Sequence, residues 1–473
     1  MRCTLKEILS RYTQTNAMVS ATALRCARWM RYLVRENKNG ITPKKIILSP
    51  PYHPSVDIMV DVKNILSERA KGMKASEIRE LLKLTQRPGI ISFAGGLPNP
   101  KAFPVEATRK IINELLDDSC EQILQYGATE GITPLREALA AHMRDRGIDV
   151  KKENILITHG SQQALDLISK VFLDPGDTIV VGSPTYLGAT GAFRAFQADM
   201  KSVPVGEDGM DMDALDKELE ELIRLGHRPK FVYVVPTFQN PSGVTIPAEN
   251  RKRLLEIASK YDMMIIEDSP YSYLRYEGET MPHIMSMDDE GHVVRLQTFS
   301  KILAPGFRIA WIAASEEIIN QLVIAKQSSD LCTNPFGQFV AYKYVSEGTL
   351  YKHIDYIKEL YNQKRITMLE AMDKYFPKEA KWTRPQGGMF VWVTLPEYVN
   401  TREMFPKALE ENVAYVVGDA FFVEDEGYNT MRLNFTHSSE EEIKEGIERL
   451  AKVIQHEIDK NDETKGVEEI ITP

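Results

Sequence analysis

Thr298-Phe-Ser-Lys-Ile-Leu-Ala-Pro-Gly-Phe-Arg308 gathers two hydroxyls, a lysine and an arginine within eleven residues. A strand-like run, His292-Val-Val-Arg-Leu-Gln-Thr298, leads into it, and a second apolar run, Ile309-Ala-Trp-Ile-Ala-Ala314, leads out. Two β-type runs thus bracket a loop that carries Thr298, Ser300, Lys301 and Arg308. A lysine held at the end of a strand suits covalent catalysis. Its amine condenses with an aldehyde when burial and neighbouring charge keep part of it deprotonated. The hydroxyls and Arg308 suit a phosphate. Taken alone, the stretch reads more readily as a loop with a solvated lysine, because most lysines face water. The rest of the chain has to decide between the two.

Working outward, the same alternation repeats upstream. Asn154-Ile-Leu-Ile-Thr158, Thr178-Ile-Val-Val181, Phe231-Val-Tyr-Val-Val235 and Met263-Met-Ile-Ile266 are short continuous apolar runs. Helical stretches lie between them, at 161–172 and 251–261. Such runs, alternating with helices, predict an α/β fold with a mostly parallel sheet buried on both faces. Chemically suggestive residues fall just past the runs: Tyr186, Asn240, Asp268 and Tyr271, then Lys301. Open α/β sheets bind ligands at the carboxyl ends of their strands.

Each of these positions has a plain reading and a chemical one. Ser161 and Gln162 open a helix after Gly160, where free backbone N–H groups favour an anion; a serine there is also an ordinary cap. Tyr186 suits stacking on a ring or simple packing. Asn240-Pro241 suits a hydrogen bond to a ligand or a common turn. Asp268, after four apolar residues, suits a carboxylate facing a pyridine nitrogen, where it would keep that nitrogen protonated; it also suits a helix cap. An aldehyde, a phosphate and a pyridine together describe pyridoxal 5′-phosphate (PLP).

Composition narrows the classes. The chain has 473 residues, more than one ordinary domain, with 43% hydrophobic and 26% charged residues. Its net charge of −9 argues against general affinity for nucleic acid or for an anionic membrane surface. Cys3, Cys26, Cys120 and Cys332 are far apart, without metal-ligand spacing, and read as free thiols of a reducing compartment, so the cytoplasm is expected. No metal site and no membrane span are expected.

Residues 1–60 differ from the rest. Ten of the first fifty are Lys or Arg, against Glu7 and Glu36 alone. Three readings compete: a poorly ordered or partly helical basic extension, a targeting presequence, and a small DNA-binding module. The expected organisation is that extension at 1–60, an N-terminal arm and part of a small domain at 61–105, and a large ligand-binding domain at 106–330. A smaller α+β domain at 331–457 and a frayed tail at 458–473 complete it. A helix is predicted from Asp61 to Leu84, carrying Arg79. Gly95-Gly-Leu-Pro-Asn-Pro100 reads as a rigid turn where backbone approaches a ligand closely.

Asn240-Pro, Asp268-x-x-Tyr271 and Ser300-Lys301 occur in that order, each after its own strand. Together with Ala94-Gly-Gly-Leu-Pro-Asn-Pro100, Leu124-Gln-Tyr-Gly127, His159-Gly-Ser-Gln-Gln-Ala164, Pro184-Thr-Tyr186, Gln239-Asn-Pro-Ser-Gly243 and Met431-Arg-Leu-Asn-Phe435, they carry a resemblance. From about 65 to 455 the chain resembles the fold-type I, class I/II PLP-dependent aminotransferases, most of all the subgroup with the 2-aminoadipate and kynurenine enzymes.

The resemblance implies an aspartate aminotransferase-like fold, with a mostly parallel sheet of the seven-stranded type between helices and a smaller α+β C-terminal domain, a homodimer with shared active sites, and transamination between an L-amino acid and a 2-oxo acid such as 2-oxoglutarate by a ping-pong mechanism. It implies that Lys301 bonds the PLP aldehyde and moves the substrate proton, that Asp268 pairs with the ring nitrogen, and that Asn240 and Tyr271 hold the phenolic oxygen. Tyr186 would stack on the ring. Ser161, Gln162, Thr298, Ser300 and Arg308 would hold the phosphate, with Tyr126 reaching the neighbouring subunit's cofactor. Arg432 would grip the substrate α-carboxylate, near Gly96 and Asn240. Arg79 matches a mobile arginine that meets a distal substrate carboxylate, at a spacing from Gly96 slightly shorter than the family's. Aromatic, 2-aminoadipate-type and branched-chain donors all fit. A PLP lyase or decarboxylase on the same fold is the rival reading, and an aminotransferase-like transcription regulator a more distant one.

Overall fold

The structure is a computed structural model that describes residues 62–73 and 89–471, with side chains described to residue 460. By internal contacts the chain divides into a unit ending at Ile65 and a second that begins at Leu66, and every sheet belongs to the second. The predicted basic extension at 1–60, and Arg79, lie outside the described residues.

The continuous apolar runs do form a buried sheet. β1 is Ile91–Ser92, β2 Ile155–Thr158, β3 Thr178–Ser183, β4 Asp199–Gly206, β5 Gly209–Met210, β6 Phe231–Val234, β7 Met264–Asp268, β8 Val293–Thr298 and β9 Ala310–Ala313. The main sheet has eight strands in the order β2-β9-β8-β7-β6-β3-β4-β5. β4, β3, β6, β7 and β8 run parallel to one another, while β9 runs against both β8 and β2 and β5 against β4. The eighth strand beyond the seven expected is β5, a two-residue strand that folds back on β4 around Glu207 and Asp208. β4 itself escaped the sequence reading. Its Asp-Met-Lys-Ser-Val-Pro-Val-Gly pattern leaves only Val203 buried, as suits a strand near the sheet edge.

β2, β6 and β8 are buried along their whole length. In β8 this buries Arg295 and Gln297 as well as the aliphatic residues. Helices cover both faces, and apolar cores lie on each side: Phe193, Phe231, Tyr233, Ile266 and Leu296 in one, Val180, Leu215, Val232, Leu254 and Ile265 in another. Each such side chain contributes about 1.5–3 kcal/mol through its removal from water.

A second sheet stands on the C-terminal residues. β10 is Lys381–Trp382, β11 Phe390–Thr394, β12 Val413–Ala414, β13 Val416–Val417 and β14 Thr430–Asn434. β10, β11, β14 and β13 form an antiparallel sheet in that order, and β1 pairs in parallel with β12. The long helix Thr349–Tyr375 packs against the last helix, Glu440–Ile471. That last helix passes straight through the boundary expected at 457, and Ile458 is buried in the core.

The helix predicted from Asp61 to Leu84 does not form as one piece. Two short helices, Val62–Ile65 and Glu68–Gly72, take its place over the described part. The break falls at Ser67, whose hydroxyl accepts a hydrogen bond from the Ala70 N–H at 3.2 Å and caps the second helix.

Candidate active site

The chain leaves β8 through a single 3-10 turn, Phe299–Lys301. Thr298 sets it: its Oγ1 accepts from the Ser300 N–H at 3.1 Å and donates to the Ser300 hydroxyl at 2.9 Å. The Thr298 hydroxyl is thereby given to the turn that displays Ser300 and Lys301. The Lys301 Nζ donates to the Gly96 carbonyl at 2.9 Å. Burial, then the Arg432 and Arg308 guanidinium groups, lower its amine to a pKa of about 8. Both arginines thus act on one amine, and both favour its neutral, nucleophilic form.

On one side of Lys301 lies an anion cradle. Arg308 adopts a left-handed backbone (φ 56°) at the end of the turn Pro305–Phe307. Its Nη1 lies 3.5 Å from the Ser300 Oγ, and its side chain crosses Gly160 so closely that a Cβ there would meet Nη2 at 2.2 Å. Gly160 precedes the helix Ser161–Phe172, whose first N–H groups and dipole face the same corner. The Ser161 hydroxyl is buried with no hydrogen-bond partner among the described residues. Gln162 turns its side chain to the Gly188 carbonyl at 2.7 Å, tying the helix start to the segment after Tyr186.

A second corner is built around Asp268. Asp268 ends β7, is 2% exposed, and accepts on Oδ2 from the Tyr233 hydroxyl at 2.8 Å; its Oδ1 has no partner among the described residues. Burial pushes its pKa up to about 6, and the Tyr233 hydrogen bond and Arg295 moderate the rise. Tyr271 lies 3.5 Å from the Asn240 amide nitrogen, and burial raises its phenol. Tyr186, at the start of the helix Leu187–Ala195, is electrostatically coupled to both Tyr271 and Arg432. Its ring lies over Gly188, where a Cβ would meet it at 2.4 Å.

Arg432 closes the site. It lies on β14, an inner strand flanked by β11 and β13, and not at a sheet edge. Its Nη1 donates to Asn240 Oδ1 at 2.8 Å and its Nη2 to the Ala94 carbonyl at 2.9 Å, while Nε has no partner among the described residues. The guanidinium sits 4.2 Å from the Phe390 ring centroid and 5.0 Å from that of Phe421. Burial lowers its pKa to about 10, so it stays charged at neutral pH. A buried guanidinium facing aromatic rings and neutral acceptors is the setting for a carboxylate ligand.

Gly96, Asn240, Tyr271, Lys301 and Arg432 are thus linked at one centre, with Ser161, Ser300 and Arg308 at one end and Asp268 at another. Tyr126 is not part of this cluster. It is 79% exposed and borders a cleft of about 740 Å³ with His159, Gln163, Asp330 and Asn334. Sequence reasoning passed over Tyr233, which looks like one more core residue of β6, and Gly160, whose need for a bare Cα appears only once Arg308 lies over it. Among the described residues no group of His, Cys, Asp and Glu is placed to hold a metal ion, and no helix is long and apolar enough to cross a membrane.

PLP fits this donor set. The orphaned Ser161 hydroxyl beside Arg308 suits its phosphate. The orphaned Asp268 Oδ1 suits a protonated ring nitrogen, and Lys301 the aldehyde.

Comparison with known proteins agrees. Residues 94–450 match the family described as aminotransferase class I and II. The chain is 54% identical over 402 residues to aromatic-amino-acid aminotransferase 1 of Thermococcus litoralis, covering 85% of this chain and 96% of that one. It is 42% identical to the 2-aminoadipate transaminase of Thermus thermophilus, over 81% of this chain and 94% of that one. Among solved structures it resembles Pyrococcus horikoshii kynurenine aminotransferase, solved in complex with PMP, with a TM-score of 0.82 and 50% identity over 84% and 98% of the two chains.

Proposed function

The chain belongs to the class I and II aminotransferases, and from that membership we propose that it moves the amino group of aromatic L-amino acids to 2-oxoglutarate, with 2-aminoadipate and branched-chain amino acids as further donors. The observation that carries the reading is Arg432. It is a buried, charged fork set between Phe390 and Phe421, and its bonds within the chain go to the neutral oxygens of Asn240 and Ala94. A substrate α-carboxylate gives it a counter-ion, and the flanking rings give an apolar wall for a large side chain.

Bound PLP supplies an electron-poor ring that takes up the electron pair left when the substrate Cα loses its proton. The chain does the rest. Arg432 orients the substrate by its carboxylate. Lys301 would bond the PLP aldehyde at rest and, with its amine free, would hold the substrate Cα proton on Nζ and deliver it at C4′; its lowered pKa suits that proton transfer near neutral pH. Asp268 pairs through Oδ1 with the ring nitrogen, Asn240 and Tyr271 bind the phenolic oxygen, and Tyr186 stacks on the ring. Ser161, Gln162, Ser300 and Arg308 hold the phosphate, and Thr298 shapes the turn beneath it. Gly96 keeps its backbone open to the substrate.

We place the enzyme in the cytoplasm as a homodimer in which Tyr126 of one subunit completes the other's phosphate site; its exposure supports that role. Arg79 is assigned to the distal carboxylate of acidic donors. The test is a panel of amino donors against 2-oxoglutarate. Aromatic donors are expected to turn over with the parallel-line kinetics of a ping-pong reaction. Loss of Arg79 should weaken 2-aminoadipate and spare phenylalanine. Release of carbon dioxide or ammonia without amino transfer would favour the lyase reading and overturn this one.

A further inference from the structure

The two oxygens of Asp268 are not equivalent. Oδ2 accepts the Tyr233 hydroxyl at 2.8 Å, and Oδ1 is left without a partner among the described residues. Tyr233 lies in the middle of β6, with its backbone paired to Ile266 of β7 and its ring fully buried against the edge of Phe193 at 5.5 Å. Strand register and ring packing therefore leave its hydroxyl little choice of direction. Its own phenol is pushed well above its ordinary pKa, by burial first and then by Asp268, so it remains the donor.

We propose that Tyr233 is a positioning residue for the cofactor: its hydroxyl pins the Asp268 carboxylate by Oδ2, so that Oδ1 is presented to the ring nitrogen and the carboxylate stays ionised to receive it. The inference rests on the assignment of Asp268 to that nitrogen. Tyr233 on β6 bonds this carboxylate, Arg295 on β8 and Glu267 on its own strand act on it electrostatically, and it acts in turn on Tyr271 in the loop that follows. Arg295 is engaged by Glu267 at 3.4 Å, which leaves Tyr233 as the one hydrogen-bond donor to Asp268 among the described residues. A donor to the ionised form lowers a carboxyl pKa, and its removal raises it. Without Tyr233 the acid, already lifted by burial, would hold its own proton near neutrality and lose its attraction for a protonated ring.

A plain structural role is the competing account, because buried phenols in general find a partner. The two separate on a pH profile. Apoenzyme is titrated with PLP on both sides of pH 6, and the dissociation constant and the visible absorption of the bound cofactor are followed. For the wild type, affinity should fall on the acid side as Asp268 takes a proton. Tyr233→Phe should move that acid midpoint up by about one pH unit, weakening binding about twofold at pH 7 and by roughly tenfold well below pH 6. Site-specific replacement of Tyr233 by 3-fluorotyrosine, a stronger donor of nearly the same shape, should move the midpoint down, and it serves if the phenylalanine variant does not fold. A lowered melting temperature with an unmoved midpoint in both variants would overturn the proposal. Asp268→Asn should abolish the acid midpoint. If it leaves the wild-type profile intact, the assignment of Asp268 fails, and the role of Tyr233 falls with it.

Discussion

Gly160 lies directly beneath the Arg308 guanidinium: a Cβ on Gly160 would stand 2.2 Å from Nη2 and 2.8 Å from Cζ. The glycine also holds φ +77°, a region other residues enter at a cost. The phosphate corner therefore exists because the chain omits one methyl group at this position. Gly160→Ala should push Arg308 away from Ser161 and Ser300. Loss of one charge-assisted contact is worth about 1.5–3 kcal/mol, or roughly 10- to 100-fold in PLP affinity. Affinity for unphosphorylated pyridoxal should change far less. Equal losses for both compounds would remove the phosphate from this corner.

Arg432 binds by shape as well as by charge. Arg432→Lys keeps a cation but loses the two-pronged contact and leaves Asn240 Oδ1 or the Ala94 carbonyl without its donor. KM should rise about 10- to 100-fold for every donor and for the oxo acid alike. The ranking of side chains should stay as it is, which steady-state kinetics over the donor panel would show.

Behind the site, Glu267 is fully buried 3.4 Å from Arg295. Burial alone would raise this carboxyl; Arg295, His283 and the Met285 N–H together more than offset it and bring the pKa to about 2, against an ordinary 4.5. A lowered pKa means stability that is fully present above the ordinary value and is lost as pH falls from about 4.5 through 2. Glu267→Gln leaves Arg295 uncompensated and should cost about 3–5 kcal/mol in urea unfolding at neutral pH. The gap from the wild type should narrow on acidification; a gap independent of pH would count against the ion pair as its source.

Tyr126 gives the shared site a direct test. Lys301→Ala and Tyr126→Ala subunits should each form weakly active or inactive dimers. Mixed dimers contain one site with neither defect, so unfolding and refolding the pair together should recover about one quarter of the wild-type activity, the statistical share for a two-fold dimer. No recovery would place Tyr126 in its own subunit's site or in none.

Much of this was legible before any coordinates, and the reason is local. Asp268 and Asn240 follow continuous apolar runs and Lys301 a strand-like one, so their position at a strand end can be read within a few residues. The same holds for Ser161, because a glycine and a helix start stand beside it. What could not be read depends on partners distant in sequence. Tyr233 sits inside Phe231-Val-Tyr-Val234 and looks like packing until β7 brings Asp268 alongside. Gly160 looks like a turn glycine until Arg308 crosses it. β4 carries Lys201, Ser202 and Pro204, a pattern that names no strand until β3 pairs with it. The break at Ser67 is not legible in the sequence because one serine cap outweighs a helical periodicity on either side of it.

The claim on which the whole account stands is the bond between Lys301 and the cofactor. The direct measurement is borohydride reduction of the PLP-loaded enzyme, followed by proteolysis and mass mapping of the lysine peptides. The account predicts a phosphopyridoxyl group on Lys301, with the other lysines unmodified. An unmodified Lys301, with the group found on a different lysine, would contradict it.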